Sequence, residues 1–260
     1  MSFNIKNFFL ILLGFAVVGF FSSCKEEVKL SNDELLDQAA ISAEEGDWKT
    51  VEALAGKAVS RNDEDSNALV LYSLALENTG SSEAALKEIE KASKFGKDNF
   101  AAQFTAGRML FSKGKYDEAL APLTQAYKLR PNDIDTIALL AQVNRKLGTP
   151  DATKYLVKLI KSKKYKNKPA PWNELAIVLA ERGDLTKAYK YFARAYKYGK
   201  DDPTVILNIA VFLDKYRKDS KKAKGYYLKY LKMTAKNPEL ENQRQLVASR
   251  VKQINSSSGK

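Results

Sequence analysis

The residue types that do most protein chemistry are scarce in this chain of 260 residues: histidine is absent and Cys24 is the single cysteine. Histidine-dependent triads, cysteine nucleophiles and the usual zinc sites are thereby removed. Carboxylates remain, and two of them suffice for glycoside hydrolysis. They cluster at Glu44-Glu45-Asp47 and Asp63-Glu64-Asp65, in polar breaks where acidic residues are ordinarily solvated or cap the next helix. No glycine-rich phosphate loop occurs, because Gly14 and Gly19 fall in an apolar leader and most of the other glycines at a repeat interval. The chain reads as a non-enzyme without cofactor or metal, and its chemistry is recognition.

Charge points the same way. Residues 25–133 carry a net −6 and residues 134–260 a net +17, within a formal total of +12. Such a field attracts anions over a Debye length of about 8 Å at physiological salt. Lysine alternates with tyrosine in Tyr189-Lys190-Tyr191 and Tyr196-Lys197-Tyr198, as on nucleic-acid surfaces where aromatics stack on bases. Tyr189, Phe192 and Tyr196, however, follow the i, i+3, i+7 spacing of a buried helix face, so most of that aromatic mass is expected in the core. Nucleic acid is not an expected partner. Anionic lipid headgroups, lipopolysaccharide or an acidic protein patch are better targets, and a merely solvated lysine face is the plain alternative.

The elements that must position these groups are set by a repeat. Gly46, Gly80, Gly114, Gly148 and Gly183 stand 34 residues apart, with a final step of 35, each in a break between apolar-periodic stretches. Ala39, Ser73, Gly107, Ala141, Ala176 and Ala210 recur in phase with them, and all are small. Small residues belong where two helix axes cross most closely. Ser31 with Glu34 forms a capping box, while Thr149-Pro150, Asp202-Pro203 and Asn237-Pro238 read as helix starts with proline at the first helical position. After Pro238, Leu240, Val247, Val251 and Ile254 share one helical face, which predicts an amphipathic helix over 238–254 that caps the stack. Residues 255–260 hold nothing apolar beyond the cap and are expected to be disordered. The fold class is all-α.

A 34-residue period built of two helices and a turn is similar to that of the tetratricopeptide repeat (TPR) family. The third repeat carries the resemblance best, through Gly107, Gly114, Tyr116, Ala119, Leu123, Ala126 and Pro131; the fifth follows through Trp172, Leu175, Ala176, Leu179, Gly183, Ala188, Phe192 and Ala195. The resemblance implies a right-handed α-solenoid of about six repeats, at 32–65, 66–99, 100–133, 134–168, 169–202 and 203–237. It also implies a concave groove lined by the first helix of each repeat. Carried across, the groove positions put Phe104, Arg108, Phe111, Gln142, Arg145 and Asn173 at a candidate partner site. The alternative is that Phe104 and Phe111 pack between repeats. The family's carboxylate clamp is missing, with Arg108 and Asn173 as isolated remnants.

The first 24 residues form an address. Lys6 precedes an apolar run from Phe8 to Phe21, too short for a membrane span of roughly 20 residues and suited to a secretory signal. Phe21-Ser22-Ser23-Cys24 resembles the lipobox of bacterial lipoproteins, with phenylalanine where leucine is usual. The resemblance implies a signal peptide over 1–23, lipidation of Cys24 and a tether over 24–31. Several acyl chains on one residue give stable anchoring. The alternatives are an uncleaved anchor or a plain secretion signal with Cys24 an unmodified thiol. Lys25 in place of aspartate favours outer-membrane sorting, and Cys24-Lys25-Glu26-Glu27 is similar to a surface-export tag. Extended, the tether reaches roughly 25 Å at about 3.3–3.6 Å per residue.

Together these features predict a membrane-anchored scaffold that binds a protein or peptide of the cell envelope in its groove. The architecture is similar to that of pilotin-type outer-membrane lipoproteins. The alternative function is capture of anionic glycan or lipid through the basic C-terminal half. Partner identity, leaflet and oligomeric state are left open by the residues.

Overall fold

The computed structural model describes residues 30–257. Cys24 and the signal-like segment lie outside the described residues, as do residues 258–260. Thirteen α-helices and one 3₁₀ turn make up the described chain, without a strand. They run as pairs: α1 (Asn32–Glu45) with α2 (Trp48–Arg61), α3 (Ser66–Asn78) with α4 (Ser82–Phe95), and α5 (Phe100–Ser112) with α6 (Tyr116–Leu129). Then follow α7 (Ile134–Lys146) with α8 (Ala152–Lys161), α9 (Pro169–Glu181) with α10 (Leu185–Tyr198), and α11 (Pro203–Lys215) with α12 (Ser220–Thr234). A 3₁₀ turn (Pro238–Leu240) leads into α13 (Glu241–Ser257). None of these helices is long and apolar enough to cross a membrane.

Local chemistry explains most helix ends. Ser31 and Glu34 close a reciprocal capping box at α1, and Asp47, Asp65, Asn99, Asp133, Asp184, Asp202 and Asp219 each accept a backbone N–H of the helix they precede. Each of the five repeat glycines has a positive φ, between 66° and 97°, the left-handed region that lets a helix end and the chain reverse without Cβ strain. The sixth pair has no glycine at this point; Lys218 takes the left-handed conformation instead, at φ 55°.

The in-phase small residues are the crossing points. Ala39, Ser73, Ala141, Ala176 and Ala210 are buried, and Gly107 lies so close to α6 that a Cβ there would stand 2.4 Å from Leu123 Cγ. One buried cluster runs from Leu69 to Val178 and a second from Ala176 to Ile254, so they meet on α9. Consecutive first helices come close to one another, α1 to α3, α3 to α5, α5 to α7 and α9 to α11, whereas consecutive second helices do not to the same degree. A stack of pairs whose first helices converge and whose second helices diverge must curve, with the first helices inside. The result is an α-solenoid.

Four sequence expectations need correction. Thr149-Pro150 does not start α8, which begins at Ala152 without a side-chain cap. Thr149 instead donates its hydroxyl to the side-chain oxygen of Asn144, a buried residue whose amide already donates to Leu140 O at 2.8 Å; satisfying a buried acceptor takes precedence over capping. Asn237-Pro238 opens a 3₁₀ turn rather than the capping helix itself, and α13 continues to Ser257, so residues 255–257 are helical rather than disordered. Tyr189 is 57% exposed, because the buried stripe of α10 is Ala188, Phe192 and Ala195 and Tyr189 lies about 100° around the helix from Ala188.

Val247, Val251 and Ile254 are buried against the end of the stack, and α13 packs on α12. A polar lock reinforces them. Arg250 grips Asp214 of α11 with Nε at 2.7 Å and Nη2 at 2.8 Å, and Tyr227 of α12 donates to the same carboxylate at 3.2 Å. Arg250 holds the Asp214 carboxyl below its usual range, while burial, then the Asp214 charge, push the Tyr227 phenol up to about 12.

Candidate interaction cleft

On the inner surface the two arginines singled out by the sequence are both committed to carboxylates. Arg108 of α5 reaches back to Glu77 of α3 with Nη1 at 3.2 Å and Nη2 at 2.6 Å. This bidentate pair fixes both planes. Arg145 of α7 reaches forward to α9, where its Nη2 donates to Glu181 at 3.0 Å and its Nε lies 3.3 Å from Glu174 Oε2. That second approach is an ion pair without hydrogen-bond alignment, since the buried Nε finds no acceptor in line.

The two pairs do different work. Glu77 and Arg108 link first helices that already pack together, whereas α7 and α9 are the consecutive first helices that separate. The cause lies in the fourth repeat. Its second helix, α8, has 10 residues where α2, α4, α6 and α10 have 14, and the segment 162–168 joins it to α9. Ser162 turns extended at the end of α8, and Lys164 ties the connection to α7 through Asp135 at 2.5 Å. That hydrogen bond raises the Lys164 ammonium above its ordinary pKa.

The space left by the separation is a cleft of about 670 Å³. Ala138, Leu156, Leu159 and Pro171 supply apolar wall, Tyr165 projects from the connection, and Gln142, Arg145, Lys146 and Glu174 supply the polar groups. Its size and its few polar groups among apolar ones are those of ligand pockets. Arg145 also borders a smaller cavity of about 120 Å³ at the far end of the seam. There Arg182 donates to Thr153 Oγ1 at 2.8 Å and to Thr149 O at 3.3 Å, closing the seam. Among the described residues no group of three or more Cys, Asp or Glu side chains is placed to hold a metal ion.

Of the six residues expected at the site, Gln142 and Arg145 line the cleft. Phe104 stacks on Phe100 at 5.7 Å, and Phe111 tilts against Tyr116 at 5.5 Å; both are half-buried one repeat away, together with Arg108. Asn173 is 2% exposed on α9, and its Oδ1 is buried without a hydrogen-bond partner. The family's groove positions also include Ala138, which lies on the wall; Glu174, Tyr165, Leu156, Leu159 and Pro171 were not among them. The available signal was the 35-residue step from Gly148 to Gly183, which marks the one repeat whose outer helix and connection differ.

Comparison with known proteins agrees with this architecture. Residues 44–126 match the family model for anaphase-promoting complex, cyclosome, subunit 3. Among solved structures the chain is similar to YrrB, described as a TPR protein with an unusual peptide-binding site, at 22% identity and a TM-score of 0.62, covering 76% of this chain and 97% of that one. It is similar to PilF of Pseudomonas aeruginosa at 18% identity and a TM-score of 0.58, covering 82% and 96%. MamA of Desulfovibrio magneticus RS-1 aligns at 16% identity and a TM-score of 0.57, covering 66% and 97%. Searching curated protein sequences found no match. At these identities the likeness shows the fold, a solenoid of tetratricopeptide type.

Proposed function

We propose that this chain is a non-catalytic scaffold that holds a protein or peptide segment in the cleft between α7 and α9. One observation carries the reading: the separation between the consecutive first helices α7 and α9 opens a cleft of about 670 Å³ on the inner surface, with apolar walls and exposed polar groups at its rim. Arg145 is committed to Glu174 and Glu181 within the chain, so the main recognition element is an apolar side chain of the partner set against Leu156 and Leu159. Gln142 is exposed and its amide makes only a 3.4 Å hydrogen bond to Ala138 O of its own helix, so partner backbone can compete for it. Burial of one leucine-sized anchor stabilises a complex by about 1.5–3 kcal/mol, and a polar rim adds register more than affinity. YrrB, named for its peptide-binding site, supports the choice of a peptide.

We further propose that lipidated Cys24 tethers the scaffold to a bacterial outer membrane and that the assembly it serves belongs to the envelope. The lipobox-like Phe21-Ser22-Ser23-Cys24 supports this reading. Intact-mass analysis of the native protein tests it directly: a triacylated N-terminal cysteine is expected, and a free thiol on a processed chain would contradict it.

The cleft is tested by placing a photoreactive amino acid at Gln142 and, as a control, at exposed Lys87 on the outer helix α4. Irradiation in envelope membranes should give a discrete adduct from Gln142 alone. Equal adducts from both positions would exclude the cleft as the binding site.

A further inference from the structure

A large share of the basic charge of the C-terminal half lies on the outer helices. Helices α8, α10 and α12 hold twelve lysines and arginines and not one aspartate or glutamate, whereas α2, α4 and α6 each contain at least one carboxylate. On α10 and α12 only Lys187 and Lys222 are ion-paired, each to the aspartate that caps its own helix. Lys190, Arg194, Lys221 and Lys232 are exposed and lie in no ion pair of contact distance among the described residues. Two large apolar side chains stand among these cations, Tyr189 at 57% and Leu228 at 47% exposure. The two helices form one continuous face, since Tyr196 meets Tyr226 edge-on at 6.0 Å and Lys229 sits 4.9 Å from the Tyr196 ring.

We infer that the outer face of α10 and α12 docks on an anionic phospholipid bilayer, with the cations on phosphate headgroups and Tyr189 and Leu228 in the interfacial layer. The chemistry selects this partner. Four to eight clustered cations beside a bilayer are the usual signature of anionic-lipid binding, and exposed tyrosine and leucine suit the boundary between headgroup and acyl chain. Nucleic acid is disfavoured because stacking needs a row of free rings. Here Tyr196 is occupied by Tyr226, and Tyr191 and Tyr198 pack on Trp172. A bilayer also accepts a convex surface without a groove. Docked this way, the solenoid lies with its outer side on the membrane and the α7/α9 cleft turned away from it, a placement that does not depend on what the cleft binds.

Lysine footprinting of the full chain tests the inference. The protein is mixed with vesicles of phosphatidylcholine alone or of phosphatidylcholine rich in phosphatidylglycerol, treated with a water-soluble acylating reagent, and read by peptide mass spectrometry. Lys190, Lys197, Lys221 and Lys232 should lose reactivity several-fold on the anionic vesicles only, and recover in high salt. Exposed Lys49, Lys57 and Lys87 on α2 and α4 should react equally on both. The double change Lys190→Glu with Arg194→Glu should restore reactivity at Lys221 and Lys232, because each cation removed from an anionic surface weakens partition about fivefold. Equal reactivity on both vesicle types overturns the inference. So does protection by soluble polyphosphate or single-stranded DNA without protection by vesicles, which would reassign the face to a soluble polyanion.

Discussion

Gly107 and Leu123 mark a close crossing of α5 and α6: a Cβ on Gly107 would lie 2.4 Å from Leu123 Cγ, 2.6 Å from its Cδ2 and 3.3 Å from its backbone nitrogen. Leu123 is fully buried, so it has nowhere to go. Gly107→Ala gains up to about 1 kcal/mol of helix propensity and loses about 1–3 kcal/mol to overpacking. The backbone contact puts the sum on the destabilising side. Thermal melts should show a fall of a few degrees at unchanged native helicity; a rise would mean that α5 and α6 cross elsewhere.

Lys218 presents the opposite case. It holds a left-handed conformation at φ 55° where five other pairs place glycine, and for a residue with a Cβ that conformation is disfavoured by roughly 1–2 kcal/mol. Lys218→Gly should therefore stabilise the chain by about 1 kcal/mol, read as a higher denaturation midpoint with an unchanged slope. Lower stability would show that the Lys218 side chain makes a compensating contact.

The lock between Asp214, Arg250 and Tyr227 makes stability pH-dependent at both ends. Asp214 has a depressed pKa, so its contribution is present above the unfolded carboxylate value of about 3.9 and is lost as pH falls through the folded value. Tyr227 is raised to about 12, so its contribution is full below the unfolded phenol value of about 10 and is lost as pH climbs towards 12. Amide exchange should show α13 opening first in both directions. Arg250→Ala should cost about 1–3 kcal/mol and flatten the acid side. An acid profile unchanged by that substitution would contradict the lock.

Much of the fold is legible in the residues, and the reason is physical. A crossing admits only a small side chain and a helix reversal favours glycine, so Ala39, Gly107 and Ala176, and Gly46, Gly114 and Gly183, announce the all-α stack by type alone. The cleft is not legible in that way. Its existence depends on where α8 stops, which Ser162 decides locally, and on ion pairs from Arg145 to Glu174 and Glu181 that join different helices. Tyr189 shows a related ambiguity: Tyr189, Phe192 and Tyr196 fit a helical stripe, yet Ala188, Phe192 and Ala195 are the residues of α10 that are buried.

Asn173 is a buried acceptor without a partner, a state that disfavours the folded chain by about 1–3 kcal/mol. Asn173→Ala removes the unpaired acceptor and leaves only a small cavity, so it should change stability by no more than about 1 kcal/mol. A loss well beyond that would reveal a hydrogen bond to water at that position.

The reading as a whole turns on whether a partner enters between α7 and α9. Ala138 is half-exposed on the cleft wall, so Ala138→Trp should fill the space without disturbing the helix crossing beneath it. The direct measurement is the yield of photo-adduct from position 142 in envelope membranes, with and without Ala138→Trp, at matched helicity and melting temperature. Loss of the adduct in the filled variant is the predicted result. An undiminished adduct would place the partner elsewhere on the solenoid.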